Sequence, residues 1–440
     1  MKKQVFIIGL DEENKARLER LPQAAECDFK AALTYEEIRS GESYPVGDLL
    51  RLATERMAAC DRVDAVASFY DFPGTVLVPV LAERFGLPGP SLESVLKCEN
   101  KYWSRLEQQK AIPDNIPLFR VFDPNDEQAY EKIDLLPPFW IKPIKSFRSY
   151  LAYQINGAGQ FHDVMPYCRE KGPEITGPFI ELMQAHGMPP EISEMNETFI
   201  AESSISGFQC TLEGYSYQGR VAVYGIVDSI REPDSSSFSR YEYPTCLPLE
   251  IQHRLIDTAR LAVQQIGYDH GPFNVEFFYE QSGDQIWLLE INPRISESHA
   301  ELFEKVNGIS HQAVMLDLAL GRKPAPLEFR GDFNVAAKFM LRAFERGTVT
   351  GIPDAEALRK LEELQPGTRV KPLIEPGQEL EDLERQDMYS FEIANLFIGG
   401  RDRHELLEKH HEALKLARFE IGKEPTNIDV RVRPSGVERH

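Results

Sequence analysis

The chain contains 440 residues, of which 42% are hydrophobic and 27% are charged, so it can bury a large core. This length predicts about two to three domains and excludes a single small module. The 70 acidic and 49 basic side chains give a formal net charge of -21. A field of that sign repels phosphate backbones and anionic lipid surfaces, so we expect neither nucleic acid nor a membrane as a partner.

The cysteines and the N-terminus indicate the compartment. Six cysteines are scattered along the chain without a C-x-x-C pair, which argues against a zinc site and against a disulfide framework. The apolar stretch that ends at Leu10 is short and acidic residues follow it, so no signal peptide is expected. No run of about 18 apolar residues is present that could span a membrane. We therefore expect a cytoplasmic protein.

The first part of the chain alternates strand and helix patterns. Apolar runs predict strands at 4–9 and 64–69. Helical spacing predicts helices at 46–57 and 75–85, and Gly86 ends the second of them. Alternation of this kind predicts a small parallel α/β domain.

The middle of the chain predicts a compact subdomain. A helical pattern extends over 91–110 and ends before Pro113. Beyond it, FWIKP predicts a strand at 139–143 and ETFIAES predicts another at 197–203, with a helix near 178–186 between them.

The strongest local pattern is a β-hairpin. FNVEFF at 273–278 and IWLLEIN at 286–292 flank a turn that contains Q-S-G-D. Farther along, NVAAKFMLR predicts a strand at 334–342, and helical spacing predicts a helix at 402–418.

Carboxylates are concentrated on this hairpin. Side chains alternate along a strand, so Glu290 and Asn292 share a face, and Glu276 joins them if even-numbered residues pair with even-numbered ones. Two carboxylates and an amide oxygen suit Mg²⁺, which prefers oxygen ligands together with water and substrate phosphates. A polar edge that faces solvent is the alternative interpretation.

Two lysines are candidates for binding an anion. Lys142 lies within the apolar strand at 139–143, where a charge costs several kcal/mol unless it finds a partner, so we expect an anionic ligand there. Lys101 lies on the predicted helix 91–110, where an ordinary solvated lysine is the alternative.

The run E-I-N-P-R from Glu290 to Arg294, with Glu276 on the preceding strand, resembles the ATP-grasp superfamily. That superfamily includes biotin carboxylase, carbamoyl phosphate synthetase, D-alanine ligases and bacterial L-amino acid ligases. The resemblance covers most of the chain and implies that Glu276, Glu290 and Asn292 hold the magnesium of MgATP. It also implies that Arg294, with Lys142, neutralises the transferred phosphoryl group or the acyl phosphate.

The resemblance extends to the nucleotide. In the family, two lysines contact the nucleotide, backbone groups of a hinge bond the adenine, and a glutamate commonly holds the ribose hydroxyls. The matching positions are Lys101 and Lys142 for the lysines, Glu202, Ser203 and Ile205 for the hinge, and Gln209 for the glutamate.

Two features depart from the family pattern. The loop that is usually a glycine-rich phosphate cradle reads KSFRSY here, so we expect donation from the side chains of Ser146, Arg148 and Ser149 instead of the backbone. Glutamine at position 209 keeps a hydrogen-bonding role but alters the charge. Either departure is compatible with a loss of activity.

Four residues are candidates for contacting substrate. Lys338 and Arg342 lie four apart on the predicted strand 334–342, where they could receive a carboxylate or phosphate or form a solvated edge. Arg240 lies in a polar S-S-S-F-S-R-Y segment that predicts either a loop closing on substrate or an ordinary flexible loop. His299 follows the metal motif at a position that faces substrate in related enzymes, and a structural, hydrogen-bonded histidine is the alternative.

The resemblance implies an α/β and α+β multidomain fold. We expect an N-terminal parallel α/β domain at 1–95, an ATP-grasp central domain at 96–325 with a mobile lid at about 137–203, and a C-terminal α+β domain at 326–440.

The resemblance also implies a ligase that uses ATP and Mg²⁺, with Mn²⁺ as a substitute, to activate a carboxylate as an acyl phosphate for attack by an amine. The expected partners are therefore small carboxylates and amines, and a homodimer is compatible with the family. An ATP-dependent carboxylase, and a nucleotide-binding sensor or scaffold without turnover, are the alternatives.

Overall fold

A computed structural model describes residues 1–39, 45–146, 150–189, 192, 198–232, 237–383 and 390–422 of the chain. Within these ranges, no helix is long and apolar enough to cross a membrane.

The N-terminal part alternates strands and helices. Its elements are β1 (Lys3–Leu10), α1 (Glu12–Glu19), β2 (Cys27–Thr34), α2 (Tyr35–Arg39), α3 (Val46–Ala58), β3 (Ala65–Ser68) and α4 (Gly74–Phe85). The strands form a parallel sheet in the order β2-β1-β3, which confirms the predicted α/β domain. Gly86 ends α4 with φ at 64°, the left-handed conformation that glycine adopts without a steric penalty.

The predicted helix at 91–110 is two helices, α5 (Leu92–Glu99) and α6 (Lys101–Ala111). Asn100 separates them because its backbone is extended and its side-chain oxygen accepts hydrogen bonds from the N–H groups of Tyr102 and Trp103. Asparagine is a preferred residue for capping a helix in this way. The break places Lys101 at the first position of α6.

A four-stranded sheet with two helices lies in the region of the predicted lid, and we call it the lid sheet. Its elements are β4 (Phe119–Phe122), α7 (Ala129–Ile133), β5 (Phe139–Pro143), β6 (Tyr153–Ile155), α8 (Ala158–Ala185) and β7 (Phe199–Ser203), and the strand order is β4-β7-β5-β6. The lid sheet thus includes β4, which precedes the predicted range of 137–203.

Helix α8 is longer than the predicted segment at 178–186, because three internal prolines interrupt its pattern in the sequence. Its first half packs Phe161 and Met165 on the lid sheet, whereas Phe179 and Met183 in its second half join the large core of the molecule. One helix therefore connects the lid to the central domain.

The central sheet is antiparallel and has eight strands. It comprises β8 (Phe208–Tyr217), β9 (Arg220–Arg231), β10 (Phe238–Tyr243), β11 (Gly271–Glu280), β12 (Gln285–Asn292), β13 (Val335–Ala343), β15 (Thr368–Pro372) and β16 (Phe391–Gly400). The order is β12-β11-β8-β9-β10-β13-β16-β15, and β11 and β12 form the predicted hairpin. The helices associated with this part are α9 (Leu249–Ile266), α10 (Ala300–Asn307) and α11 (Gln312–Ala319).

The C-terminal α+β part shares the central sheet, because β13, β15 and β16 continue it. The remaining elements of this part are β14 (Thr348–Gly351), α12 (Ala355–Leu364), α13 (Arg403–Leu416) and β17 (Glu420–Gly422). Phe339, Leu396 and Leu406 belong to one apolar cluster that packs α13 against this half of the sheet.

Candidate active site

The hairpin brings its polar side chains together. Glu276 pairs directly with Glu290, and Asn274 pairs with Asn292. The predicted pairing of even-numbered with even-numbered residues is therefore confirmed up to a bulge that follows Glu276. Gln209, on the neighbouring strand β8, donates a hydrogen bond from Nε2 to Glu276 Oε2 at 3.1 Å.

The pKa values of the two hairpin carboxylates are shifted in opposite directions. Burial raises the pKa of Glu276, and the charge of Glu290 raises it further. Burial also raises the pKa of Glu290, but Lys101 and Lys142 outweigh it, so this pKa is lowered. The protein's own cations thus leave Glu276 poorly neutralised, and a divalent cation would relieve the repulsion between the carboxylates.

This donor set fits a magnesium ion that has few protein ligands. Among the described residues, no group of three or more His, Cys, Asp or Glu side chains could hold a metal ion. The protein therefore offers Glu276, Glu290 and the Asn292 amide, and phosphate oxygens and water would complete the coordination, as is common for Mg²⁺.

Lys101 is buried, Lys142 is partly buried, and both predicted nucleotide lysines are paired with carboxylates. Lys101 Nζ lies 2.6 Å from Glu290 Oε1. Lys142 Nζ lies 2.6 Å from Glu202 Oε2, and Arg105 Nε lies 2.6 Å from the other oxygen of Glu202. The inference that the charge of Lys142 needs an external anion is therefore wrong for this structure, because Glu202 supplies the negative charge.

These side chains line a small polar pocket where the lid sheet meets the hairpin. Its charged lining consists of Lys101, Arg105, Lys142, Glu202 and Glu290. Arg105 was not identified from the sequence. It lies one helical turn after Lys101 on α6, and this spacing, which puts two basic side chains on one face, could have indicated it.

The predicted hinge segment follows directly from the lid sheet. Glu202 and Ser203 end β7, and Ser203 Oγ accepts a hydrogen bond from the Leu118 N–H at 3.0 Å. Ile205 lies half-buried in the connection to β8. Gln209 Oε1 accepts a hydrogen bond from Arg231 Nη2 at 2.7 Å. The oxygen and the nitrogen of this side-chain amide are therefore both hydrogen-bonded to other protein groups. Contacts of this segment with adenine and ribose stay predictions.

The loop after β5 contributes a lysine that was not among the predicted site residues. Lys145 is buried, forms an ion pair with Glu99 and lies 3.7 Å from Asp71 Oδ1. Ser146 beside it is buried as well. The predicted phosphate contacts Arg148 and Ser149 lie outside the described residues. Lys145 is the second lysine of the run FWIKPIK, and its spacing of three residues from Lys142 could have indicated it.

Arg294 projects toward the N-terminal part. Its Nε lies 3.1 Å from Asp71 Oδ2 in the segment between β3 and α4. Burial lowers the pKa of Arg294, but Asp71 outweighs it and the pKa is raised, so Arg294 is a permanent cation at the end of the hairpin. Asp71 had no recognisable motif in the sequence.

The predicted substrate residues on β13 lie in the interior of the sheet. β13 pairs with β10 on one side and β16 on the other, so the solvated edge that was considered for Lys338 and Arg342 is wrong. Lys338 is 9% exposed and donates to Ser298 Oγ at 3.3 Å. Arg342 follows a bulge after Leu341 and donates from Nε to the Phe238 carbonyl at 2.7 Å.

Arg240 does not lie in a loop, as the polar segment predicted. It belongs to β10 and pairs with strands on both sides. Its Nε lies 2.6 Å from Glu242 Oε1, and Glu242 in turn contacts Arg403 on α13. Arg240 therefore faces the C-terminal helix, on the side of the sheet opposite Lys338.

His299 ends a short 3₁₀ turn (Glu297–His299) that follows the hairpin. Its Nδ1 lies 2.8 Å from Oε1 of Glu213 on β8. Asn274 Nδ2 also donates to Glu213 Oε1, at 2.8 Å. Glu213 was not identified from the sequence, because it lies within a strand pattern without a motif.

Side chains from α5, α6, the lid sheet and hairpin strand β12 line the polar pocket. Residues 135–300 match the family model of the ATP-grasp domain. The chain contains an ATP-grasp domain, as the motif around Glu290 predicted.

Solved structures resemble the whole chain. The L-amino acid ligase from Bacillus licheniformis has a TM-score of 0.70 at 18% identity, over 96% of this chain and 99% of that one. Phosphoribosylglycinamide synthetase from Anaerococcus prevotii has a TM-score of 0.63 at 14% identity, over 96% and 100%. Biotin carboxylase from Campylobacter jejuni has a TM-score of 0.62 at 17% identity, over 96% and 92%. At these identities the likeness concerns the fold, and no curated protein matches the sequence significantly.

Proposed function

We propose that the protein is an ATP-dependent ligase that activates a carboxylate as an acyl phosphate and joins it to an amine, releasing ADP and phosphate. The observation that carries this proposal is the pair Glu276 and Glu290, which face each other on the hairpin with Asn292 and with Arg294 beyond it. An arrangement of facing carboxylates, an amide and a partly buried arginine suits the transfer of a phosphoryl group.

The acidic and the basic residues of the site would have different roles. Glu276, Glu290 and Asn292 would hold Mg²⁺, which when bound neutralises charge on the phosphates. Lys142 and Lys101 would attract phosphate oxygens, and Arg294 would stabilise charge on the acyl phosphate. No protein nucleophile is needed, because catalysis of this step is mostly positioning and electrostatic stabilisation.

The ion pairs of the pocket support binding of an anionic ligand. Lys101 and Lys142 each contact a carboxylate that a phosphate group could replace as partner. The lid sheet, which carries Lys142 and Glu202, would close over the nucleotide and exclude water. Exclusion of water matters because an exposed acyl phosphate would hydrolyse.

A screen for phosphate release from MgATP tests the proposal. Amino acids and small carboxylates would be offered singly and in pairs with amines, and products would be identified by mass spectrometry. The proposal requires release that depends on both a carboxylate and an amine, with an amide as product. Release that depends on bicarbonate would instead identify a carboxylase. Tight ATP binding without release under any condition would identify a sensor or scaffold.

The cytoplasm is the compartment that we propose for this activity. The structure contains six free cysteines and no disulfide among its described residues, which suits a reducing environment. Fractionation of the cells of origin would test this assignment.

A further inference from the structure

A chain of hydrogen bonds leads from the metal hairpin to His299. Asn292 Nδ2 donates to Asn274 Oδ1 at 3.2 Å, and Asn274 Nδ2 donates to Glu213 Oε1 at 2.8 Å. The same oxygen of Glu213 lies 2.8 Å from His299 Nδ1. His299 is thus held in a fixed relation to the residues that would bind the metal.

Glu213 determines which nitrogen of the His299 ring carries the hydrogen. Burial raises the pKa of Glu213, but the hydrogen bond from His299 and the nearby imidazoles and amide outweigh burial, so the pKa is lowered. An ionised carboxylate only accepts hydrogen bonds, so Nδ1 of His299 must be the donor. The lone pair of the neutral ring therefore lies on Nε2.

A second imidazole nearby does not share this role. His311 Nδ1 lies 3.7 Å from Glu213 Oε2, and its ring stacks on Phe303. Burial lowers the pKa of His311 to about 4. Its Nε2 is buried without a hydrogen-bond partner in the described part of the chain. His311 therefore stays neutral.

His299 lies close to Lys338, which was also predicted to contact substrate. Its neighbour Ser298 accepts the hydrogen bond from Lys338, and its ring lies edge-on to Tyr241 with centroids 5.1 Å apart. Titratable and charged groups that interact with His299, with Glu213 or with the neighbouring Ser298 include Tyr224, Tyr241, Arg294, His311 and Lys338.

We propose that His299, oriented by Glu213, is the base that takes a proton from the attacking amine. The inference rests on the proposed ligase function. An ammonium group gives one proton to His299 Nε2, and the freed lone pair attacks the carbonyl carbon of the acyl phosphate. The C–N bond forms, the C–O bond to phosphate breaks, and the leaving phosphate takes the electron pair and the second amine proton.

The chemistry of the step requires such a group. An alkylamine is protonated at neutral pH and has no lone pair for attack, whereas imidazole is the side chain suited to accepting a proton there. A carboxylate behind the imidazole fixes its tautomer and stabilises the imidazolium, as in other His–carboxylate pairs. A merely structural histidine would anchor the turn without affecting the proton.

Hydroxylamine separates these two roles, because it is largely unprotonated at neutral pH and attacks acyl phosphates without a base. We would measure amide formation and hydroxamate formation in the wild type and in His299→Gln. The variant should lose at least about a hundredfold in amide formation at neutral pH, the usual range for a general base, and should form hydroxamate within a few-fold of the wild type. Amide formation should recover as the pH rises and the amine deprotonates in solution.

Glu213→Gln keeps the size of the buried side chain and should show the same selective loss to a smaller degree. His404→Gln serves as the control, since this side chain is 82% exposed on α13, and it should leave both reactions unchanged. Thermal melts would establish that each variant is folded, and Glu213→Gln provides the test if His299→Gln does not fold.

Three outcomes would overturn the inference. Equal loss of amide and hydroxamate would assign His299 to acyl phosphate formation or to folding. No loss of either would show that the imidazole is only structural. A wild type that yields no hydroxamate with any carboxylate would refute the ligase function itself, and the base with it.

Discussion

Asp71 Oδ2 accepts a hydrogen bond from Arg294 Nε at 3.1 Å, across 223 positions of sequence. Asp71 follows β3 of the N-terminal sheet, whereas Arg294 follows the last strand of the hairpin. Burial raises the pKa of Asp71, but Arg294 and Lys145 outweigh it and the pKa is lowered, so Asp71 is a carboxylate. The N-terminal domain thus fixes the orientation of the arginine that would meet the acyl phosphate.

The first prediction concerns this pair. Asp71→Asn keeps the size of the side chain but removes the charge that orients Arg294. A hydrogen bond between charged groups contributes about 1.5–3 kcal/mol, so kcat should fall roughly tenfold to hundredfold. The KM for ATP should change little, because Asp71 does not line the polar pocket. Steady-state kinetics with saturating carboxylate and amine would measure both values.

A surface pair of the same type provides the control for this prediction. Asp284 lies 2.7 Å from Arg254 with 66% of its side chain exposed. Asp284→Asn should leave kcat unchanged, because exposed ion pairs contribute little. An Asp71→Asn enzyme with the kcat of the wild type would show that Arg294 is held by other contacts.

The sequence predicted those parts of the fold and site that depend on local patterns. The hairpin was recognised because alternation of apolar residues fixes which side chains share a face, and this placed Glu276 with Glu290 and Asn292. The strand with Lys142 was recognised because its apolar neighbours are contiguous. Both patterns lie within a few residues of the chain.

Long-range partners could not be predicted in this way. Nothing in the sequence joins Glu213 to His299, Asp71 to Arg294, or Glu202 to Arg105, because these contacts depend on the order of strands and on the packing of the domains. Arg240 was misassigned because its serine-rich surroundings are typical of loops, whereas pairing with strands on both sides overrides that local preference.

The second prediction concerns the carboxylate that is least neutralised. The pKa of Glu276 is raised, so ionisation of this group disfavours the folded state without ligand. This cost is absent below the ordinary pKa of the carboxyl, about 4.5, and reaches its full value above the raised pKa. Glu276→Gln should therefore raise the melting temperature of the free protein near neutral pH while abolishing turnover that depends on magnesium.

Two measurements check this prediction. Melting curves with and without MgATP should show that the ligand stabilises the wild type and not the variant. For control, Glu412→Gln removes a carboxylate that pairs with Lys415 at the surface, and it should alter neither property. If Glu276→Gln retained turnover with magnesium, the hairpin would not be the metal site.

The third prediction concerns Lys142. Because Lys142 is paired with Glu202, Lys142→Ala leaves the carboxylate with Arg105 alone among the described residues. Removal of one partner of a buried pair typically costs about 3–5 kcal/mol, so the melting temperature should fall. Affinity for ATP should fall as well.

Lys142→Met separates charge from packing in this experiment, because it keeps most of the side-chain volume. It should be destabilised less than Lys142→Ala and should lose the same affinity for ATP in calorimetric titrations. An affinity for ATP that is equal in the wild type and in both variants would mean that Lys142 serves only to neutralise Glu202.

The last prediction concerns the dependence of stability on acid. Burial raises the pKa of Glu202, but Arg105 and Lys142 outweigh burial and lower it to about 2. The resulting stabilisation is fully present above the ordinary pKa of 4.5 and is lost as the pH falls toward 2, and it amounts to about 3 kcal/mol. Glutamine resembles protonated glutamate, so the free energies of unfolding of wild type and Glu202→Gln should differ above pH 4.5 and converge near pH 2. Denaturant titrations across this range would measure the difference.

Glu405→Gln, which disrupts the pair with the 84% exposed Arg401, should give a smaller difference that added salt removes. A constant difference between wild type and Glu202→Gln at every pH would show that Glu202 is not ionised in the folded protein.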